Sequence, residues 1–184
     1  MTSRFVAIVT LLLGLAAGTA QADQNAKNLG PLFKELYAAK HPITASQLER
    51  EIWRTWQDSG DKEVNKELQA GIGAMSDGEY EESIDRFSKV IEMDPDFAEG
   101  WNKRATAYYL NGELAKSMQD IQKTLSLEPR HFGAISGMGL IFLQEGDERA
   151  ALKAFEEVLK IYPMAPTASM QVERLKKKLD GPGV

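Results

Sequence analysis

The residue types that most often bind metals or act as nucleophiles are scarce in this chain. It contains no cysteine, and its two histidines, His41 and His131, are far apart in the sequence. Zinc sites combine Cys and His ligands, and metalloprotease helices carry a His-Glu-x-x-His spacing that neither histidine has. The lack of cysteine also excludes disulfides and cysteine nucleophiles. The sequence therefore predicts no metal site.

Short glycine pairs and one acidic cluster are the remaining candidates for chemistry. Gly71-Ile-Gly73 and Gly137-Met-Gly139 are too short for a phosphate-binding loop and lie within helical patterns, so they indicate close packing. No Gly-x-Ser-x-Gly elbow occurs in the sequence. Four acids surround one turn without the ligand spacing of a calcium loop: Asp77, Glu79, Glu81 and Glu82. We expect a protein that is not an enzyme and has no cofactor.

The turn after Glu128 brings a cation, an imidazole and an aromatic ring together. Arg130, His131 and Phe132 follow one another just before a segment with a helical pattern. A cation and an imidazole at a helix N-terminus could receive an acidic group of a partner. The alternative, which we prefer, is structural. In that interpretation Phe132 packs the turn onto the next helix, and Arg130 pairs with Glu128 or Asp94.

These candidates must be positioned by helices, and residues 98–129 show the helical pattern most clearly. The first half of this stretch places Trp101, Ala105 and Tyr108 on one face of a helix, at spacings of four and three. An Asn followed by Gly112 predicts a break, and the proline at the end stops a second helix. We expect Trp101 to be a core residue, whose replacement by alanine costs about 3–5 kcal/mol.

The same pattern recurs 34 residues earlier and 34 residues later in the chain. The earlier copy has matching residues at Gly71, Gly78, Phe87 and Pro95. The later copy has them at Gly139, Gly146, Phe155 and Pro163. Copies at one fixed period indicate a solenoid, in which each helix pair buries its apolar face against its neighbours. We assign the three copies to residues 64–97, 98–131 and 132–165.

The residues at these positions resemble the tetratricopeptide repeat family. The central copy matches the family motif at Trp101, Tyr108, Gly112, Leu125 and Pro129. The resemblance implies an all-α fold, a right-handed superhelix of antiparallel helix pairs. The strings at 94–105 and 128–134 are also similar to those of small exported members of the family from Gram-negative bacteria.

Members of this family bind partners in a concave groove that is lined by the first helix of each pair. The resemblance places these residues in the groove: Asn65, Leu68, Ile72, Met75, Asn102, Lys103, Thr106, Tyr109, Leu110, Ser136, Leu140 and Leu143. The set is rich in apolar residues, which usually marks an interaction site. Lys103 is its main cation, and Asn102 could hydrogen-bond a peptide backbone. Leu68 and Ile72 occupy positions at which some members grip a C-terminal carboxylate, so binding of chaperone tails is disfavoured.

Helical segments on both sides of the repeats leave open whether this groove is accessible. Residues 31–60 predict a hairpin, either a degenerate repeat or an N-terminal cap, with a first helix from Pro31 to Lys40. A second helix is expected near Thr44 or Ser46, with Ser46 and Glu49 as a capping box. Residues 166–180 predict a capping helix, or alternatively a basic helix that touches a membrane. Either flank could fold over the groove and bury it.

The amino terminus has the composition of a secretory signal peptide. Arg4 precedes an apolar run from Phe5 to Ala17, and Ala20-Gln21-Ala22 fits the small-residue cleavage pattern. The run is shorter than the stretch that a membrane anchor needs. We expect residues 1–22 to be removed and residues 23–30 to form a flexible leader. The predicted location is the periplasm, without a membrane span in the mature protein.

Charge narrows the class of partner. The full chain has a formal net charge of −5, and loss of residues 1–22 removes Arg4 and no acid, which leaves −6. Such an acidic protein is not expected to bind nucleic acid. We predict a periplasmic scaffold or adaptor that binds a peptide segment of an envelope protein in its groove. The alternative is a structural envelope protein that self-associates through the groove or through Trp53 and Trp56.

Overall fold

The computed structural model describes residues 26–180, with side chains from Leu29 onward, and the regular secondary structure in this part of the chain is all α-helix. The predicted signal peptide lies outside these residues, as do residues 23–25 and 181–184. The helices are α1 (Ala26–Ala38), α2 (Pro42–Trp56), α3 (Lys62–Ser76), α4 (Tyr80–Met93), α5 (Ala98–Leu110), α6 (Leu114–Leu127), α7 (Phe132–Gln144), α8 (Glu148–Ile161) and α9 (Pro166–Asp180). The prediction of an all-α fold is therefore confirmed.

Helices α3 to α8 form a stack in which each helix packs on the one before it. The turn within each pair contains a glycine with a φ angle of 81°: Gly78, Gly112 and Gly146. This left-handed conformation is strained for residues with a Cβ atom, so glycine at the fixed period sets the same sharp turn three times. The predicted break after Asn111 is confirmed by Gly112.

A small residue on the first helix of each pair admits a larger side chain from the second. A Cβ atom added to Gly71 would lie 2.5 Å from Phe87, and one added to Gly139 would lie 2.9 Å from Phe155. Ala105 has the equivalent place in the central pair, where it is 2% exposed and shares a cluster with Ile121. The two helices of a pair can therefore approach closely, and the larger side chain fills the gap between them.

Trp101 does not have the core position that its spacing predicted. The side chain is half-buried, and its indole N–H donates to the carbonyl of Pro95 at 2.9 Å. Its ring lies under two cations, 5.0 Å from the guanidinium carbon of Arg104 and 5.8 Å from the Nζ atom of Lys123. The ring therefore covers the edge of the stack, and the expected cost of 3–5 kcal/mol for its removal is too high.

The N-terminal hairpin differs from the prediction at both helix starts. Helix α1 begins at Ala26, so residues 26–30 of the predicted leader are helical and Pro31 lies inside the helix. Burial of Leu29 and Leu36, both 0% exposed, outweighs the backbone hydrogen bond that a proline cannot donate. Helix α2 begins at Pro42, because proline suits the first helical position. The predicted capping box is wrong, since Ser46 lies within this helix.

The hairpin does not continue the stack. In the repeats, the second helix of each pair packs on the first helix of the next pair. Helix α2 does not pack on α3 in this way, and α1 instead approaches α8. One core cluster joins buried residues of α1 and α2 to residues of α7, α8 and α9. At the other end, α9 packs on α8 through Ala168, Val172 and Leu175. The hairpin thus folds back onto the later repeats, while α9 extends the stack by one helix.

Candidate partner-binding surface

Part of the predicted groove is an accessible apolar surface on the first helices of repeats one and two. Thr106 is exposed, and Leu110 remains 44% exposed. Ile72, Met75 and Tyr109 are half-buried and pack against the clusters beneath them. We call these residues the open strip: Ile72, Met75, Thr106, Tyr109 and Leu110. The open strip offers contact area for an apolar segment. The hydroxyl of Thr106 donates a hydrogen bond to the carbonyl of Asn102 at 3.0 Å.

Three predicted groove residues have structural roles instead. Leu68 is 0% exposed in the core, so it cannot contact a partner. Asn65 holds the linker between hairpin and repeats, because its side-chain oxygen accepts from the backbone N–H of Ser59 at 2.9 Å. Asn102 is 6% exposed, and its amide donates to the carboxylate of Glu99 at 2.9 Å. The expectation that Asn102 binds a peptide backbone is therefore not supported by its surroundings.

The groove residues of the third repeat are all half-buried. Leu140 and Leu143 are half-buried and pack against the cluster that contains the buried residues of α1 and α2. Ser136 is half-buried on the same helix. The more exposed groove residues therefore belong to repeats one and two. The hairpin covers the groove in part, at Lys103 and at the start of α7, where Trp53 contacts Phe132.

A set of residues from three different parts of the stack receives the tryptophans of α2. We call it the hairpin seat, and its members are Lys103, His131, Phe132, Gly133 and Tyr162. The indole of Trp56 stacks on the imidazole of His131, with centroids 4.0 Å apart and planes 9° apart. The ring of Trp53 meets Phe132 edge-on at 5.6 Å. The ammonium group of Lys103 lies 5.3 Å from the centroid of Trp53.

Gly133 makes room for one of these rings. A Cβ atom at this position would lie 2.5 Å from the tip of the Trp53 indole, far inside van der Waals contact. At the rim of the seat, the hydroxyl of Tyr162 donates to the carboxylate of Glu49 at 3.2 Å. Burial, together with the charge and hydrogen bond of Glu49, raises the pKa of Tyr162 to about 12. The phenol therefore remains a neutral donor at physiological pH.

A buried polar network supports the seat from below. Glu99 and His131 are 1% and 0% exposed, and the Oε2 atom of Glu99 lies 3.0 Å from the Nε2 atom of His131. The other imidazole nitrogen, Nδ1, accepts from the backbone N–H of Ala134 at 3.1 Å, which leaves the ring proton on Nε2 to donate to Glu99. The Nζ atom of Lys103 lies 3.2 Å from the second oxygen of Glu99.

This network keeps Glu99 ionised despite its burial. Burial raises the pKa of Glu99, but the hydrogen bond from His131 and the charge of Lys103 outweigh it, so the pKa lies below its ordinary value. A buried carboxylate without such partners would be protonated or would destabilise the fold. The network therefore has a structural role beneath the tryptophans.

The second candidate site of the sequence analysis is part of this arrangement and is not open to an acidic ligand. His131 and Phe132 are buried beneath the two tryptophans. Arg130 forms a bidentate pair with Glu128, at 2.9 and 2.8 Å, and its guanidinium carbon lies 4.3 Å from the centroid of Phe33. The preferred alternative, a pair between Arg130 and Glu128, is confirmed. Because Trp53 and Trp56 lie on the seat, their rings are also not free for self-association in this conformation.

The sequence patterns did not predict this contact. Glu99 and Gly133 were not assigned to any site, and Trp53 and Trp56 were expected only as a surface for self-association. A glycine near the start of the third repeat and two tryptophans at a spacing of three on the hairpin were the available signals. Neither signal identifies its partner, because they are some 80 residues apart in the chain.

Two further findings concern the described part of the chain alone. Among residues 26–180, no group of His, Asp and Glu side chains is arranged to hold a metal ion. Within the same range, no helix has both the length and the apolar character required to cross a bilayer.

Comparisons with known proteins agree with this architecture. Sequence profiles described as "TPR repeat" and "Tetratricopeptide repeat" match residues 75–112 and 134–163. A TPR repeat-containing protein from Rhizobium etli is 40% identical over 155 residues, which is 84% of this chain and 76% of that protein. The chain belongs to the tetratricopeptide repeat family. The predicted family membership is thus confirmed.

Other tetratricopeptide repeat proteins share shorter stretches. Small glutamine-rich tetratricopeptide repeat-containing protein 2 from Saccharomyces cerevisiae is 29% identical over 112 residues, 60% of this chain and 32% of the yeast protein. The Sgt2 TPR domain from Aspergillus fumigatus aligns with a TM-score of 0.61 at 23% identity, over 67% of this chain and 87% of that domain. The first TPR domain of Spaghetti, bound to an HSP90 peptide, aligns with a TM-score of 0.60 at 23% identity, over 64% of this chain and 94% of that domain. These structural likenesses confirm the predicted superhelical fold.

Proposed function

We propose that this protein is a non-enzymatic interaction module that binds a peptide segment of a partner protein along the open strip. The observation that carries the proposal is the accessible apolar surface formed by Tyr109, Leu110 and their neighbours on the concave face. Apolar side chains left accessible in a structured groove usually mark a contact surface. An extended or helical segment could place its own apolar side chains there.

Related structures support a peptide as the ligand. The second TPR domain of human RPAP3, which is 25% identical, was solved in complex with the HSP70 peptide SGPTIEEVD and gives a TM-score of 0.56 over 60% of this chain and 92% of that domain. In this chain Leu68 is buried and Ile72 is apolar, at positions where a carboxylate-binding site would need polar or cationic groups. We therefore propose an internal apolar segment as the ligand, not an acidic chain terminus.

The charges beside the open strip favour a ligand with basic residues. Asp77, Glu79 and Glu81 are exposed at the turn that follows Met75. Lysine or arginine side chains next to the apolar residues of a ligand would complement them and speed its association. A ligand with both features would match the surface better than a purely apolar one.

The open strip is testable with charge substitutions. Tyr109→Glu together with Leu110→Glu should reduce partner capture at least tenfold, since two buried apolar contacts would be replaced by charges. A matched control, Gln119→Glu with Ser126→Glu, changes two exposed residues of α6 and should leave capture unchanged. Circular dichroism would show whether helix content is kept. Equal capture by both double variants would exclude the open strip.

We also propose that the protein acts in the periplasm, as a small exported member of the family in a Gram-negative envelope. The apolar run from Phe5 to Ala17 and the Ala20-Gln21-Ala22 pattern support this location. Mass spectrometry of the cell-purified protein should find Asp23 as the first residue. Leu12→Arg, which interrupts the apolar run, should leave the uncleaved precursor in the cytoplasm. An intact amino terminus on the exported wild type would contradict the cleavage.

A further inference from the structure

The hairpin seat holds α2 through one narrow face of that helix. Glu49, Trp53 and Trp56 follow one another at spacings of four and three, which places them in line on a helix surface. Glu49 accepts from Tyr162, Trp53 enters the notch at Gly133, and Trp56 stacks on His131. The seat therefore recognises an acid and two aromatic rings at positions i, i+4 and i+7 of a helix.

The contact between the hairpin and the seat leaves a polar atom of the hairpin without a partner. The indole N–H of Trp56 is buried without a hydrogen-bond partner among the described residues. The Oε1 atom of Glu99 has the ion pair with Lys103 but no hydrogen bond of good geometry. A cavity of about 20 Å³ lies between Trp56 and the residues around Glu99 and Glu128. The unpaired indole N–H of Trp56 opposes docking, because water would satisfy it in the released state.

The connection to the repeats contains no helix packing between the hairpin and α3, although Asn65 of α3 holds the linker at Ser59. Helix α2 ends at Trp56 and α3 begins at Lys62, and the two do not form a packed pair like those of the stack. Release of the hairpin would therefore leave the mutual packing of α3 to α8 in place. The seat would then expose the rings of His131 and Phe132 together with the ammonium group of Lys103, which remains 3.2 Å from Glu99.

We propose that the hairpin seat is a second binding surface, for a partner's amphipathic helix with an acid and two aromatic residues at i, i+4 and i+7. The hairpin is its built-in competitor. The chemistry of the partner is specified by the segment that the seat already holds. This inference does not rest on the open strip, since the two surfaces share no residue and either can fail alone.

The test uses a fluorescently labelled synthetic peptide of residues 42–57, the α2 sequence, and the full-length mature chain. Trp53→Ala with Trp56→Ala in the protein removes the competitor's rings and leaves the seat intact. Fluorescence anisotropy should show that the peptide binds this double variant at least tenfold more tightly than the wild type, because a tethered competitor acts at millimolar effective concentration. A peptide in which alanine replaces both tryptophans should not bind.

A third substitution tests whether the peptide occupies the seat. Gly133→Ala, added to the double variant, fills the notch for Trp53 and should weaken peptide binding at least tenfold. Gly73→Ala is the matched control, because a Cβ atom at this helical glycine meets nothing within 4 Å. It should leave the affinity unchanged. No peptide binding to a double variant that keeps the helix content of its repeats would overturn the proposal.

Measurements on the wild type keep the proposal testable if the double variant does not fold. Native-state hydrogen exchange should show α2 opening with a smaller protection factor than α5 to α8, and added peptide should increase exchange in α2. Protection of α2 equal to that of the repeats would overturn the proposal. Sedimentation tests the alternative that a second copy of the chain occupies the seat. A wild-type dimer that dissociates when the peptide is added would assign the seat to that second copy and refute the partner helix.

Discussion

The repeat stack and the hairpin seat both place an aromatic ring against a glycine, but they surround that ring differently. In the stack, Phe87 packs over Gly71 and Phe155 over Gly139, and both rings are 0–1% exposed among apolar side chains. At the seat, Trp53 packs over Gly133 above the carboxylate of Glu99 and the imidazole of His131. The same steric device therefore gives an apolar core in one place and a mixed aromatic and polar contact in the other.

The difference indicates which contact is the more permanent. An apolar core loses free energy in proportion to every contact that is broken, without any group that gains from exposure to water. A contact with buried polar atoms regains hydration when it opens, and its net stability is smaller. We infer that the hairpin contact, which includes the unpaired indole N–H of Trp56, opens more readily than the rings of the stack, although opening also exposes the core that the hairpin shares with α7 to α9.

Removal of a ring from the stack should have the largest effect. Phe155→Ala leaves a cavity above Gly139 and should lower the free energy of unfolding by about 3–5 kcal/mol. Urea denaturation followed by circular dichroism measures this loss. The half-buried Phe142 on α7 provides a matched control, and its replacement by alanine should cost clearly less. Equal losses for the two variants would contradict the interlocked pairs.

Neutralisation of the Glu99 carboxylate beneath the seat should have the second largest effect on stability. Glu99→Gln should lower the free energy of unfolding at pH 7 by about 3 kcal/mol, because the ion pair with Lys103 is lost in a buried site. The pKa of Glu99 is lower in the folded than in the unfolded state. Its contribution is therefore complete above about pH 5 and is lost as the pH falls through the folded pKa.

The pH dependence provides the control for this variant. Denaturation at pH 7 and at pH 3 should show that the wild type loses more stability on acidification than Glu99→Gln does, so the two curves converge at low pH. Parallel curves would show that the carboxylate is not held ionised by the network.

Closing the notch at the seat should have an intermediate effect. Gly133→Ala forces Trp53 to move and should cost about 2 kcal/mol, the usual range for overpacking. Gly73→Ala has open space around the new methyl group and should stabilise α3 by about 0.5–1 kcal/mol. Opposite signs for these two substitutions, measured by thermal unfolding, would establish that the hairpin is in contact with Gly133 in solution.

Truncation at the edge of the stack should have the smallest effect. Trp101→Ala removes a half-buried ring and its contacts with Arg104 and Lys123, which should cost about 1 kcal/mol. Urea denaturation of Trp101→Ala beside Phe155→Ala gives the comparison directly. A loss as large as that of Phe155→Ala would restore Trp101 to the core and contradict its position in the structure.

Sequence reasoning was most accurate where the same contact is repeated. The turns at Gly78, Gly112 and Gly146 and the small residues at Gly71 and Gly139 were all identified by their common spacing. Sequence reasoning was less accurate for the residues of the predicted groove. Leu68 and Asn102 have the right register for the groove, yet register does not reveal which helix covers them. Trp101 matched the family motif, but a motif position does not fix the exposed fraction of a ring.

The amino-acid sequence by itself determined that residues 64–165 form helix pairs that stack, because neighbouring pairs contact each other through side chains at a fixed separation in the chain. Only the tertiary structure decided where the hairpin lies. Its contacts join Trp53 to Gly133 and Glu49 to Tyr162, pairs that no period relates. The physical reason is that such contacts depend on the shape and charge of a surface that exists only after the repeats have stacked.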